Sequence, residues 1–119
     1  MRLAVTSAGT DLASAVDPRF GRARYLLIVD TPTRTVRPID NRAGMDAAQG
    51  AGIQSAQRVI DERAGILITG HCGPKAFRAL RAAGIGVYLT PATTVSEALD
   101  RYDAGELRAA VAADVDGHW

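Results

Sequence analysis

Residues 68–81 read ITGHCGPKAFRALR, and they hold the side chains best equipped for chemistry. His71 offers an imidazole, Cys72 a thiol, and Arg78 follows Cys72 after five intervening residues. His-Cys-x5-Arg is the spacing of a cysteine-dependent phosphatase. In that chemistry a nest of amides cradles one phosphate, the thiolate attacks phosphorus, and the arginine closes over the bound group. The same letters divide in a second way. A strand ends at Thr69, a glycine-framed loop from Gly70 to Gly73 holds His71 and Cys72, and a helix opens at Pro74. Proline's fixed φ and missing N–H suit a first helical turn. On this division Arg78 lies a full turn inside the helix, and only Gly73 supplies glycine between Cys72 and Arg78. The phosphatase reading would also need a general acid, for which Asp11, Asp17 and Asp46 are the candidates.

A loop just ahead of a helix start meets free amides and the positive end of the helix dipole, which together favour an anion. The same field is expected to lower the pKa of Cys72 toward the thiolate, the form that binds metal. An adjacent His-Cys pair has none of the four-ligand spacing of a zinc site. Its bland reading is a packed cysteine beside a histidine bonded to backbone. Position speaks for Cys72 and His71 as soft and borderline metal ligands, because an open α/β sheet presents its ligands at the carboxyl ends of parallel strands. The second candidate is Arg19-Phe20-Gly21-Arg22 in VDPRFGRA, where two arginines flank an aromatic and a glycine with no acid between them. Such a loop could grip a polyanion. The bland alternative is a solvated loop, and for Phe20 itself a place in the core is preferred. Met45, in the glycine-rich stretch NRAGMDAAQGAG, adds a soft thioether on what is either a lid or a linker.

The elements that must position these residues follow from apolar periodicity and turn chemistry. Arg2–Ser7, Arg24–Asp30 and Thr35–Asp40 read as strands, the last two as a hairpin. Ile53, Ala56, Val59 and Ile60 share one face of a helix spanning 53–63. Ile66–Thr69 is a short buried strand, and Phe77, Leu80 and Ala83 form the inward stripe of the helix that Pro74 opens. Ile85–Leu89 is another strand. Thr94 and Glu97 make a capping-box pair ahead of a helix with Val95, Ala98, Leu99 and Tyr102 facing inward. The order β-β-β-α-β-α-β-α predicts a single α/β domain with three helices. Its mixed five-stranded sheet would have three antiparallel strands first and two parallel additions joined by right-handed crossovers. Residues 1–105 would form the domain. Residues 106–119, with Asp114, Asp116 and the terminal His118-Trp119, would be a loosely held tail. The carboxyl edge would gather Thr6-Ser7, Gly70–Gly73 and Thr90–Thr94.

Composition bounds the function classes. With 119 residues, 47% hydrophobic, 23% charged and only six aromatics, this is one domain with an aliphatic core. A single cysteine excludes an internal disulfide and suits a reducing compartment. The run MRLAVTSAG is short for a signal peptide, and no apolar stretch approaches the ~18 residues of a membrane span, so a cytoplasmic protein is expected. A formal net charge of +1 argues against general affinity for nucleic acid.

VDPRFGRARYLLIVD, GAGIQSAQ, ITGHCGPKAF and AAGIGVYLTP, at these spacings, resemble the dinitrogenase iron–molybdenum cofactor biosynthesis family from about residue 2 to residue 105. The resemblance implies a ribonuclease-H-like α/β fold and a non-enzymatic role, in which metal–sulfur clusters are bound, stored or delivered to and from other cluster-assembly proteins. The cargo would be the iron–molybdenum cofactor or a precursor, or the mixed molybdenum–copper sulfide cluster of the single-domain, orange-protein type. Position by position, Gly70, Gly73 and Pro74 fit the family's loop frame, with His71 and Cys72 inside it. Arg19, Phe20, Gly21 and Arg22 match its arginine-rich loop. Cluster sulfides are soft and anionic, and cationic donors, amide dipoles and a soft ligand suit them. A ribonuclease-H-like sheet also raises nuclease chemistry, but that needs carboxylates holding two metals, normally including one on the first strand. RLAVTS carries none.

Overall fold

The computed structural model describes residues 1–42 and 50–114. Met45 and Asp46, and Asp116, His118 and Trp119, lie outside the described residues. In chain order the elements are β1 (Arg2–Ser7), β2 (Tyr25–Asp30), β3 (Thr35–Asp40), α1 (Ala51–Asp61), β4 (Ile66–Thr69), α2 (Pro74–Ala82), β5 (Gly86–Leu89), α3 (Val95–Asp103) and β6 (Arg108–Ala109). The sheet runs β3-β2-β1-β4-β5-β6. The first three strands are antiparallel, and β4 and β5 add in parallel beside β1.

This is the expected mixed α/β sheet, with six strands among the described residues instead of five. The addition, β6, pairs antiparallel with β5 through Tyr88↔Ala109 and Leu89↔Arg108. It is two residues long and exposed, so it buries no alternating face for a sequence pattern to record. Residues 106–114, expected as part of a loose tail, carry this strand and a return contact: Ala110 N–H donates to the Val87 carbonyl at 2.8 Å, and Asp114 N–H to the Cys72 carbonyl at 3.2 Å.

Successive side chains of a strand point to opposite faces, and here both faces are covered. Ala4, Leu26, Ile28 and Leu67 pack with Ala56 and Val59 of α1 and with Phe77 and Leu80 of α2. Leu3, Val5, Leu27, Val29 and Ile68 pack on the other face with Val95, Ala98 and Leu99 of α3. Two buried faces explain why LAV and LLIV read as unbroken apolar runs. Each fully buried leucine or isoleucine contributes roughly 1.5–3 kcal/mol. In α1 the inward face keeps the expected Ala56 and Val59, with Ile60 packed at its edge, and departs at Ile53. Ala51, Ser55, Ala56 and Val59 are buried, while Ile53 is 47% exposed. Ser55, buried on this face, makes a polar contact described below.

The start of α3 is held by the chain itself. Thr94 Oγ1 accepts from the Glu97 N–H at 3.2 Å, the expected cap. The Val95 and Ser96 amides donate to the Ser14 and Leu12 carbonyls, each at 2.9 Å. The 11–16 loop therefore lies across this helix terminus, and Ala15 and Thr94 form a β-bridge.

Candidate functional site

At the carboxyl ends of β1 and β4, two buried hydroxyls tie two loops to the sheet. Thr6 Oγ1 donates to the Asp17 carbonyl at 2.7 Å and lies 2.8 Å from the Thr69 hydroxyl. The Asp17 amide donates back to the Thr6 carbonyl at 3.0 Å. Beyond these anchors the 17–22 loop runs beside the 70–73 loop. Arg19 and His71 pair as a short parallel bridge, and Phe20 N–H donates to the His71 carbonyl at 3.2 Å. A Cβ on Gly70 would fall 2.6 Å from Pro18 Cα. The glycine frame around His71 and Cys72 thus lets one backbone lie directly on another.

The arginine-rich stretch is a tight turn. Arg22 N–H donates to the Arg19 carbonyl at 3.2 Å, and Gly21 takes φ 102°, as the third residue of a type II turn requires. Arg19 and Arg22 therefore stand at the two ends of one turn, with Cα atoms within about 7 Å by its definition. Phe20, between them, is completely buried in the core that α1 and α2 cover. Asp17 steadies the near side: its carboxylate accepts from the Arg19 amide at 2.9 Å and lies 3.6 Å from the Arg19 Nε. On the far side the Gly21 carbonyl accepts from Asn41 Nδ2 and from Ser55 Oγ, both at 3.3 Å. Asn41 also donates to the Ala23 carbonyl at 2.9 Å, and Ser55 Oγ lies 3.2 Å from Asn41 Oδ1. Asn41 and Ser55 are completely buried. The turn sits so close to α1 that a Cβ on Gly21 would fall 2.8 Å from Gly52 Cα.

Within the second loop the adjacent residues diverge. The His71 side chain is 44% exposed, with Nδ1 2.8 Å from Asp114 Oδ2. Cys72 turns inward and is 1% exposed, its thiol 3.7 Å from the Gly73 carbonyl. Its amide donates to Asp114 Oδ1 at 2.8 Å. Burial, with a smaller contribution from the Asp114 carboxylate, pushes the Cys72 thiol up to about 12. The expected lowering toward a thiolate is therefore reversed, because loss of solvent outweighs the helix dipole. Nor does the Cys-x5-Arg stretch form a phosphate cradle. The helix begins at Pro74, with Gly73 in extended backbone ahead of it, and Arg78 is exposed inside that helix. A buried, neutral thiol is no nucleophile.

The remaining candidates have structural partners. Ser7 is completely buried, and its hydroxyl donates to the Gly9 carbonyl at 2.8 Å. The expected third arm of the edge, Thr90–Thr94, is engaged with the 11–16 loop and with β4, where Thr90 N–H donates to the Thr69 carbonyl at 2.9 Å. The structure thus sets the 17–22 loop beside Gly70–Gly73 through Pro18, Arg19 and Phe20, with Arg22 at the far end of the turn and the Cys72 thiol directed into the core. Asn41, Ser55 and Asp114 were missed. Asn41 and Ser55 act through buried hydrogen bonds that leave no periodic trace, and Asp114 lies 42 residues from Cys72. Among the described residues no group of three or more His, Cys, Asp or Glu side chains could hold a metal ion.

Comparisons with known proteins agree with one another. The dinitrogenase iron–molybdenum cofactor family model matches residues 1–105. The apo form of the orange protein from Desulfovibrio gigas is 43% identical, covers 96% of each chain and superposes with a TM-score of 0.92. A putative NifB protein from Thermotoga is 37% identical over 91% of each chain, with a TM-score of 0.79. A protein of Methanocaldococcus jannaschii is 27% identical over 95 residues, 77% of this chain and 80% of its own length. The chain belongs to the dinitrogenase iron–molybdenum cofactor family.

Proposed function

We propose that this protein binds and carries a molybdenum-containing metal–sulfur cluster without catalysing a reaction. The observation that carries the reading is the contact between two loops at one sheet edge, where Arg19 bridges to His71 and Phe20 bonds to it. That contact sets the backbone of the arginine turn beside the loop that carries His71 and leads into α2, and membership of the family supplies the chemical class of cargo. A thiomolybdate-type cluster is a multiply charged anion with a soft sulfide surface. Arg19 and Arg22 can donate charge-assisted hydrogen bonds to its sulfides. His71 is the candidate for direct ligation. Cys72, as folded, is a neutral core residue, so recognition in this reading rests on charge and hydrogen bonds rather than on thiolate ligation. Gly21, Phe20 and Ser7 hold the frame. No described helix is long and apolar enough to cross a membrane, and we place the carrier in the cytoplasm, where it would exchange cargo with cluster-assembly proteins.

The test is anaerobic incubation with tetrathiomolybdate and copper, and separately with an iron–molybdenum cofactor preparation, followed by desalting. Stoichiometric molybdenum with a visible charge-transfer band is expected from at least one preparation. The pair Arg19→Ala and Arg22→Ala should lower retention by about tenfold or more, since two charge-assisted contacts are lost. Cys72→Ser should still load. If neither preparation leaves metal on the protein, the carrier reading is wrong.

A further inference from the structure

The 70–73 loop already holds an anion, and it belongs to the chain. Asp114 comes back from beyond β6 and sets its carboxylate on the residues assigned to the cluster. Oδ1 accepts from the Cys72 amide at 2.8 Å, and Oδ2 lies 2.8 Å from His71 Nδ1. The Asp114 amide closes the exchange on the Cys72 carbonyl at 3.2 Å. This is a two-oxygen grip on one amide and one imidazole, just ahead of the first turn of α2, where a bound anion is most stabilised. The approach differs from the cap of α3, which comes from the adjacent Thr94. Asp114 is separated from this loop by α2, β5, α3 and β6, so the fold must carry it back.

We propose that Asp114 is an internal competitor for the anion site, a carboxylate that an incoming thiometalate must displace from Cys72 N–H and His71. The inference rests on the carrier reading for the identity of the guest. A single carboxylate is a weak rival to a dianion or trianion, yet it outcompetes monovalent anions because it is tethered at high effective concentration. Asp114 therefore sets a charge threshold. Multiply charged thiometalates displace it, and singly charged solutes do not. It also fills the hydrogen-bonding capacity of the loop between rounds of loading, so no buried amide is left without a partner when the cargo departs.

The experiment titrates the full-length wild-type protein, Asp114→Asn and Asp114→Ala with tetrathiomolybdate alone at low ionic strength, following backbone amides by heteronuclear NMR. Asparagine keeps an acceptor for the Cys72 amide, which preserves the fold, and alanine removes the side chain. In the wild type the resonances of His71, Cys72 and Asp114 should move together as the carboxylate leaves. Both variants should bind about tenfold more tightly, the size of one lost charge-assisted competitor. Equal affinity in all three proteins overturns the proposal. So does movement at His71 and Cys72 without movement at Asp114, or the absence of any movement at His71 and Cys72. These outcomes are separable from the desalting test. Displacement of Asp114 by thiomolybdate without retained cluster would sink the carrier reading alone. Retained cluster with unchanged affinity in Asp114→Asn would sink the competitor alone.

Discussion

Cys72 shows how one residue can lend its backbone to a candidate site while its side chain stays in the core. Its amide and carbonyl face Asp114, while its sulfur belongs to the core. The raised thiol pKa has a consequence of definite sign. Between the ordinary thiol value near ~8.5 and about 12, the unfolded chain loses a proton that the folded chain keeps. Fewer protons bound in the unfolded state means that stability falls as pH rises. The contribution is fully present below the ordinary thiol value and is lost toward the folded one, with a slope approaching ~1.4 kcal/mol per pH unit. Urea denaturation of the wild type and of Cys72→Ala between pH 8 and 11 should show this slope in their difference, and parallel curves would contradict it. The folded protein should also resist iodoacetamide at pH 8 until denaturant is added, as thiol mass-labelling would record.

Among elements, the arginine turn depends on how closely it meets α1. Gly21→Ala puts a side chain at φ 102° and a Cβ 2.8 Å from Gly52 backbone. Strain and overlap together should cost on the order of 2–4 kcal/mol, read as a lowered urea midpoint. Ser55→Ala removes one donor from the Gly21 carbonyl but leaves Asn41 in place, so about 1 kcal/mol is expected. The sequence made the larger pieces legible. Unbroken apolar runs betrayed β1, β2 and β4, and Thr94 with Glu97 marked the start of α3. Pro74 marked α2, which also decided against the phosphatase. On α1 the apolar period locates Ala56, Val59 and Ile60 but not the exposure of Ile53, because the face also takes in the polar Ser55, buried against the Gly21 carbonyl. In the candidate site, glycine spacing and arginine clustering single out two loops that the fold sets side by side. The inward turn of Cys72 follows the packed alternative rather than the ligand expectation, a choice the sequence leaves open because adjacent loop residues carry no period that separates outward from inward.

Across the whole molecule, contacts distant in sequence join parts that no local rule connects. Arg34, in the turn between β2 and β3, reaches Asp100 at 2.7 Å and Asp103 at 3.1 Å at the end of α3. Both acids are well exposed. Arg34→Ala should therefore cost no more than about 1 kcal/mol, and the difference should shrink in 1 M salt as the charges are screened. A wild-type to variant gap unchanged by salt would show that the arginine acts by packing instead. Phe20 works at this scale too. Its ring is sunk in the core while Arg19 beside it is exposed, so the turn cannot swing outward without pulling an aromatic plug from the interior. The two guanidinium stems are consequently spaced before any guest arrives. On the proposed carrier reading, little backbone ordering entropy would be lost on capture, and rival cargoes should be ranked by their own size and charge rather than by how far the protein must bend to meet them.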